Sequence, residues 1–303
     1  MDKCGNEQEQ IKEDNNHIYY TLDLFNISCG LCNYIYCIAN AINTLSLKKS
    51  NKLISLNIIN FKRDMFKRNM CNISEIIDIN LTNKKLLENN INILLNDNNN
   101  KFTYVEPVMF PLQNEKIINL IIFRNELCFI SKNLKPINDY YCIHFRLDCD
   151  CIVFYNFDFE TYANYISITN INDSIEYFSK LVKEEKCQKW INTIYDRYIE
   201  YINIIGLDNH FYICTPIGKD DRHKPLLPLL NKLLEYLPNK TCIKKSIHDD
   251  RELSAIIELN IIKESKGLIG FSGSTFTVVG SIMSVKRSDK LFIVDNCACM
   301  KSA

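Results

Sequence analysis

Cys142-Ile143-His144-Phe145-Arg146-Leu147-Asp148-Cys149-Asp150 reads as a strand of β-branched and aromatic residues whose carboxyl end carries a His, an Arg and two carboxylates. In an α/β protein, ligands bind outside the carboxyl ends of the strands. A guanidinium placed there can grip a phosphate through two parallel hydrogen bonds. If the chain is α/β, as the alternation of elements around this strand implies, the stretch predicts a phosphate-bearing ligand. It lies near the middle of the chain, where a second domain would begin. Two readings of its charges stay open. If the strand runs on, alternation puts His144, Arg146 and Asp148 on one face. Alternatively, Arg146 is neutralised by Asp148 or Asp150 in an internal salt bridge, because burying an unpaired charge is costly.

Outward from this strand, strands and helices alternate. On the amino side, Lys132 to Asp139 holds Pro136 and is a candidate linker. Before it come an apolar run (Ile117 to Phe123), an Asn-rich loop (Asn96 to Asn100) and a helical or irregular stretch (Cys71 to Leu95). Earlier still, His17 to Leu24 reads as a strand and Asn26 to Asn33 as a turn. Tyr34 to Leu47 has helical spacing, and Leu53 to Phe61 reads as a buried strand: one βαβ unit. On the carboxyl side, Cys151 to Tyr155 continues or follows the opening strand. A long helix spans Ile175 to Ile205, with Gly206 as its C′ residue. Then come a strand (Phe211 to Thr215), two helices (Leu226 to Leu237 and Glu252 to Glu264), a strand (Gly267 to Phe271), a helix (Thr277 to Ser284) and a last strand (Leu291 to Val294). The alternation implies a mostly parallel sheet in each half.

The bulk composition narrows the function. The chain has 303 residues, enough for two domains. Its 36 Lys and Arg balance 36 Asp and Glu, which argues against a general nucleic-acid binder. No run approaches the ~18 apolar residues of a membrane span. Residues 1–16 are polar, predict a disordered tail and contain no signal-peptide core. A soluble, cytoplasmic protein is the expectation. The 14 cysteines are scattered and many lie in apolar runs, which predicts buried free thiols rather than a disulfide scaffold. Heavy use of Asn, Ile and Lys is that of an AT-rich coding genome, viral or microbial.

Three loops could hold one ligand. In Cys29-Gly30-Leu31-Cys32-Asn33, a Gly before a helix lets backbone approach an anion. The plainer alternative is a tight turn with Asn33 as N-cap. Cys29-x-x-Cys32 also fits a redox pair or half a zinc site, but Cys149-x-Cys151 and Cys297-x-Cys299 do not supply a matching pair. The second loop is the end of the opening strand. The third is Gly270-Phe271-Ser272-Gly273-Ser274-Thr275-Phe276, where a strand ends, hydroxyl residues follow and a helix begins. It reads either as a phosphate cradle or as a capped helix start, and is not a Walker loop. Lys219, Arg222 and His223, in Thr215 to Lys224, read as a solvated charged loop that could add positive charge to the same crevice.

Taken in order, these motifs resemble the protein O-fucosyltransferases. Gly30 and Asn33 match that family's first Gly-rich loop, although Cys and Tyr replace other residues of it. Ile73-Ser74-Glu75-Ile76-Ile77-Asp78 is similar to the segment after the first strands. His144, Arg146 and Asp150 match its His-x-Arg motif with an Asp four residues on, and Ser274-Thr275-Phe276 matches its last motif. The resemblance implies an α/β GT-B fold: two Rossmann-like domains facing a cleft, residues 17–133 on the acceptor side and 134–303 holding the nucleotide sugar. It implies inverting transfer of fucose or a related deoxysugar from a GDP-sugar to a hydroxyl of a glycan or protein, with no metal and no cofactor beyond the donor. Arg146 would bind the diphosphate and assist its departure. Gly30, Asn33, His144, Asp150, Ser274, Thr275 and Phe276 would line the donor site. Asp148-Cys149-Asp150 has the spelling of a metal motif, but the resemblance assigns it otherwise. Lys266 stands where family members often carry an acid that reads guanine. A non-catalytic binding or scaffold relative on the same fold is the alternative.

Overall fold

In the computed structural model, the chain is described for residues 16–24, 31–48, 50–59, 72–97, 103–108, 114–136, 139–243, 247, 251–284 and 291–295. The predicted tail 1–16 lies outside them but for Asn16, and so do Cys29, Gly30 and Cys297-x-Cys299.

β1 (His17–Asp23) begins the first sheet and α1 (Leu31–Ser46) follows it. β2 (Leu53–Ile59) then pairs parallel to β1, His17 opposite Leu53. The stretch Cys71 to Leu95 holds α2 (Ile73–Ile76), α3 (Ile79–Leu86) and a strand the sequence does not announce, β3 (Ile91–Leu95). Its Ile-Asn-Ile-Leu-Leu run is too short for periodicity to tell strand from helix. Asn90 and Asn96, at φ 55° and 49°, turn the chain at its two ends. β4 (Thr103–Val105) completes a parallel sheet of order β3-β2-β1-β4. The apolar run Ile117 to Phe123 is mostly a 3₁₀ helix (Glu115–Leu120), and α4 (Asn125–Leu134) leads to the second half.

The second sheet has the order β7-β6-β5-β8-β9, again all parallel. Its strands are β5 (Tyr140–His144), β6 (His210–Cys214), β7 (Lys240–Cys242), β8 (Leu268–Gly270) and β9 (Leu291–Ile293). Between β5 and β6 run α5 (Cys149–Asn156), α6 (Phe159–Ser167), α7 (Ile171–Leu181) and α8 (Glu185–Ile205). α9 (Leu227–Tyr236) precedes β7, while α10 (Arg251–Glu264) and α11 (Thr275–Met283) flank β8.

Three expectations are corrected here. The opening strand stops at His144 rather than Leu147, because Asp148 caps α5 by accepting from the Cys151 N–H at 3.0 Å. Cys151 to Tyr155 is therefore helix, not strand. The long helix of Ile175 to Ile205 is two, α7 and α8. The break at Val182–Glu184 lets both bury apolar faces, Phe178 on one and Ile191, Ile194 and Tyr198 on the other, in one core cluster. Gly206 closes α8 at φ 98°, a conformation that favours glycine.

Two core clusters pin the layers. One lies on the face of the second sheet that carries Ile143, Phe145, Phe211 and Ile213, against α8 and α9. The other joins the opposite face (Tyr140, Cys142, Tyr212, Cys214) to α10, α11 and the first sheet with α1. The carboxyl ends of β5 and β8 thus open beside the helices that connect the two sheets.

Candidate functional site

A Rossmann-type strand order reverses direction between its first and fourth strands, and ligands bind in the crevice that this reversal opens. In the second sheet that point lies between β5 and β8. Two of the three candidate loops come from the ends of those two strands.

Arg146 sits two residues beyond β5. Its amide N–H donates to the Tyr198 hydroxyl at 3.1 Å, and that hydroxyl donates to the His144 carbonyl at 2.7 Å. Tyr198, fully buried on α8, therefore replaces the ladder partner that the departing strand loses. The Arg146 guanidinium pairs through Nη1 with Asp148 Oδ2, and the carboxylate is fully buried while the Arg side chain is 29% exposed. The internal salt bridge is thus present, and its partner is Asp148. His144 turns toward the other side of the turn. Its Nδ1 lies 2.7 Å from Thr277 Oγ1 and its ring 4.7 Å from that of Phe276. Burial, followed by the charges of Arg146 and Lys219, holds its imidazole well below the usual range, so the ring is neutral at pH 7.

The loop after β8 is anchored from two directions. Asp295, just past β9, accepts from the Ser272 N–H at 2.5 Å and the Ser272 hydroxyl at 2.6 Å. Thr277 Oγ1 accepts from the Phe271 N–H at 3.2 Å. Glycine is required by close approach: a Cβ on Gly270 would stand 2.3 Å from Thr277 Cγ2, and one on Gly273 would stand 1.8 Å from Tyr155 Oη. Ser274 occupies the N-cap position of α11 but its hydroxyl does not cap the helix. Among the described residues, no acceptor takes the backbone N–H groups of Thr275, Phe276 or Thr277. Open amides at the positive end of a helix form an anion cradle.

Asp150 looks elsewhere. It lies in the first turn of α5, its Oδ1 3.9 Å from Arg222 Nη1. Arg222 is itself gripped by Asp220 through its Nε and Nη2, with a shortest distance of 2.8 Å. The loop predicted to be solvated is therefore corrected: Arg222 and His223 are buried in a 3₁₀ helix (Asp221–Leu226) packed under α5. His223 Nδ1 accepts the Cys149 N–H at 3.3 Å, and burial pushes its imidazole down to about 4. Cys149 and Cys151 are buried free thiols, both pushed up by burial, Cys151 to about 12.

On the first sheet, Asn33 is the third residue of α1 rather than its N-cap, since the helix begins at Leu31. Its Oδ1 is buried and has no hydrogen-bond partner among the described residues. The Leu31 N–H instead donates to Glu252 Oε2 of α10 at 3.0 Å. Lys266 pairs with Asp139 at 2.9 Å at the amino end of the second sheet, the edge away from the site. Its position leaves it no part in reading a base at the carboxyl edge.

Sequence reasoning missed Tyr198, Thr277, Asp295 and Glu252. Asp295 directly follows an apolar strand, so the strand-end rule that singled out Arg146 would have found it. Tyr198 lies in a periodic helix and carries no local signal. Among the described residues no three His, Cys, Asp or Glu side chains group as a metal centre, and no helix is long and apolar enough to cross a membrane.

No family model matches the sequence, and no curated protein sequence matches it. Solved structures do. A crystal structure of POFUT1 in complex with GDP superposes with a TM-score of 0.56 at 12% identity, over 93% of this chain and 98% of that one. POFUT1 in complex with GDP-fucose gives a TM-score of 0.56 at 12% identity over 92% and 98%, and a second crystal form gives 0.54 over 93% and 98%. With its two parallel sheets, the chain has the mixed α/β, GT-B-like fold of the fucosyltransferase POFUT1.

Proposed function

We propose that the chain is a glycosyltransferase that moves fucose or a related deoxysugar from a GDP-sugar to a hydroxyl of a glycan or protein, with inversion and without a metal. The observation that carries this reading is that Arg146, just past β5, and the open α11 amides, just past β8, lie at the carboxyl ends of the two strands where the strand order reverses, in a fold shared with a protein crystallised with GDP and GDP-fucose. Breaking the glycosidic bond leaves an oxocarbenium-like sugar and a diphosphate on which charge builds. A guanidinium and oriented amides, already in place, stabilise that charge. In this reading Arg146 assists the leaving group. Thr275 and Phe276 give amides to phosphate, with Ser274 beside them supplying a hydroxyl. Neutral His144 and the Phe276 ring shape the pocket wall. Gly30, which lies outside the described residues, and Asn33 would complete the donor site, and Asp150 acts through Arg222 to hold α5. The proposed domains, residues 17–133 and 134–303, would face each other across this crevice, and the protein would work in the cytoplasm.

A non-catalytic nucleotide-sugar binder is the second reading, favoured by the buried Asp148 that already neutralises Arg146. Calorimetry with GDP and GDP-fucose, followed by donor turnover, separates the two. Binding together with release of fucose that Arg146→Ala abolishes is expected. Binding without turnover selects the second reading, and no binding at millimolar nucleotide rejects both.

A further inference from the structure

Lys219, in the loop after β6, forms an ion pair with Glu258 of α10, and the two side chains are only 12% and 10% exposed. Removing both charges from water costs several kcal/mol per ion, and a well-packed apolar pair of the same volume often serves stability as well or better. What else the pair does depends on its place. Alternation along β5 directs Tyr140, Cys142 and His144 toward α10 and α11: the Tyr140 hydroxyl donates to the Ile261 carbonyl at 2.7 Å, and His144 meets Thr277. Lys219 reaches α10 from the carboxyl end of β6, the strand beside β5. Its ammonium therefore stands on the same face and the same edge of the sheet as His144 and the open amides of α11. Its charge is felt at the His144 ring alongside that of Arg146. Arg222 differs, because Asp220 takes its Nε and Nη2.

We propose that Lys219 is a second ligand for the donor diphosphate, held in place by Glu258, so that the leaving group meets an ammonium as well as the Arg146 guanidinium. The proposal rests on the nucleotide-sugar reading above. An ammonium has three N–H donors, and the Glu258 contact leaves two for phosphate oxygens.

The test is calorimetric titration of GDP and guanosine into the full chain and into Lys219→Met, Lys219→Arg and the double variant Lys219→Met with Glu258→Leu, each checked by thermal melting. Both Met variants should bind GDP about 10-fold to 100-fold more weakly, the loss expected for a hydrogen bond to a charged group. Guanosine affinity should stay within about twofold, Lys219→Arg should recover most of the GDP affinity, and the double variant should melt no lower than the unaltered chain. Unchanged GDP affinity in both Met variants overturns the proposal and leaves the nucleotide reading standing, and so does an equal loss for GDP and guanosine. Failure of the double variant to fold makes the pair structural and also overturns it. An unaltered chain that binds neither GDP nor guanosine removes the nucleotide reading and this proposal together.

Discussion

The Tyr198 hydroxyl donates to the His144 carbonyl at 2.7 Å and holds the strand end open by receiving the Arg146 N–H at 3.1 Å. One buried phenol thus sets the turn from which the Arg146 guanidinium departs. Tyr198→Phe keeps the ring packing and leaves a buried carbonyl and amide unpaired. A loss of about 1–3 kcal/mol in stability is expected from urea unfolding. GDP should bind more weakly while the chain remains folded. Equal stability and equal GDP affinity in Tyr198→Phe would show that the turn is held by something else.

Asp295 accepts two hydrogen bonds from Ser272, one from backbone and one from side chain. Asp295→Ala should cost about 2–3 kcal/mol, because charge-assisted bonds are the stronger kind. The loop before α11 should then exchange its amide hydrogens faster, which hydrogen exchange followed by mass spectrometry reads directly. Protection of residues 271–274 equal to that of the unaltered chain would count against the anchor.

Gly273 faces the Tyr155 hydroxyl so closely that an added Cβ would lie 1.8 Å from it. Tyr155 in turn stacks on Trp190 at 5.8 Å between ring centres. Gly273→Ala should destabilise by about 1–3 kcal/mol through overpacking. Tyr155→Phe removes the offending oxygen, so the pair should recover part of the loss. A double-mutant cycle with no coupling would refute the contact.

Acid should unfold the chain early. His223 titrates near 4 in the fold against an ordinary 6.5, and burial also holds His144 well below its usual range. A depressed imidazole contributes its stability fully above pH 6.5 and loses it as the pH falls toward the folded value, because the unfolded chain takes up the proton first. For His223 this loss is about 2 kcal/mol by pH 5 and about 3 kcal/mol in full. Urea unfolding at pH 7.5 and pH 5 measures it, and His223→Asn should flatten the dependence. An identical slope in His223→Asn would mean that His223 does not carry it.

Much of the framework was legible in the chain. β1, α1, β2, β6, α9, α10, β8 and β9 follow the predicted stretches closely, since each carries a run with clear period or length. The short strands β3, β4 and β7 were not legible. Thr103–Val105 and Lys240–Cys242 span three residues each, too few to show alternation, and only pairing in a sheet makes them strands. The His-x-Arg stretch and the loop before α11 could be picked out as strand ends because each closes an apolar run. The split of the long helix was not visible, because Val182-Lys183-Glu184 holds neither Gly nor Pro.

By itself, the sequence determined an alternation of strands and helices, and it marked the strand ends where a guanidinium and hydroxyl residues collect. Tertiary structure alone decided what each of those groups faces. Arg146 meets Asp148 because Asp148 is needed as the cap of α5, and Asp150 is turned toward Arg222 by the same helix. Lys219 is largely shielded from water because it meets Glu258 of α10. The physical reason is that periodicity encodes which face a side chain occupies, while its partner comes from a distant segment brought close only when the layers pack.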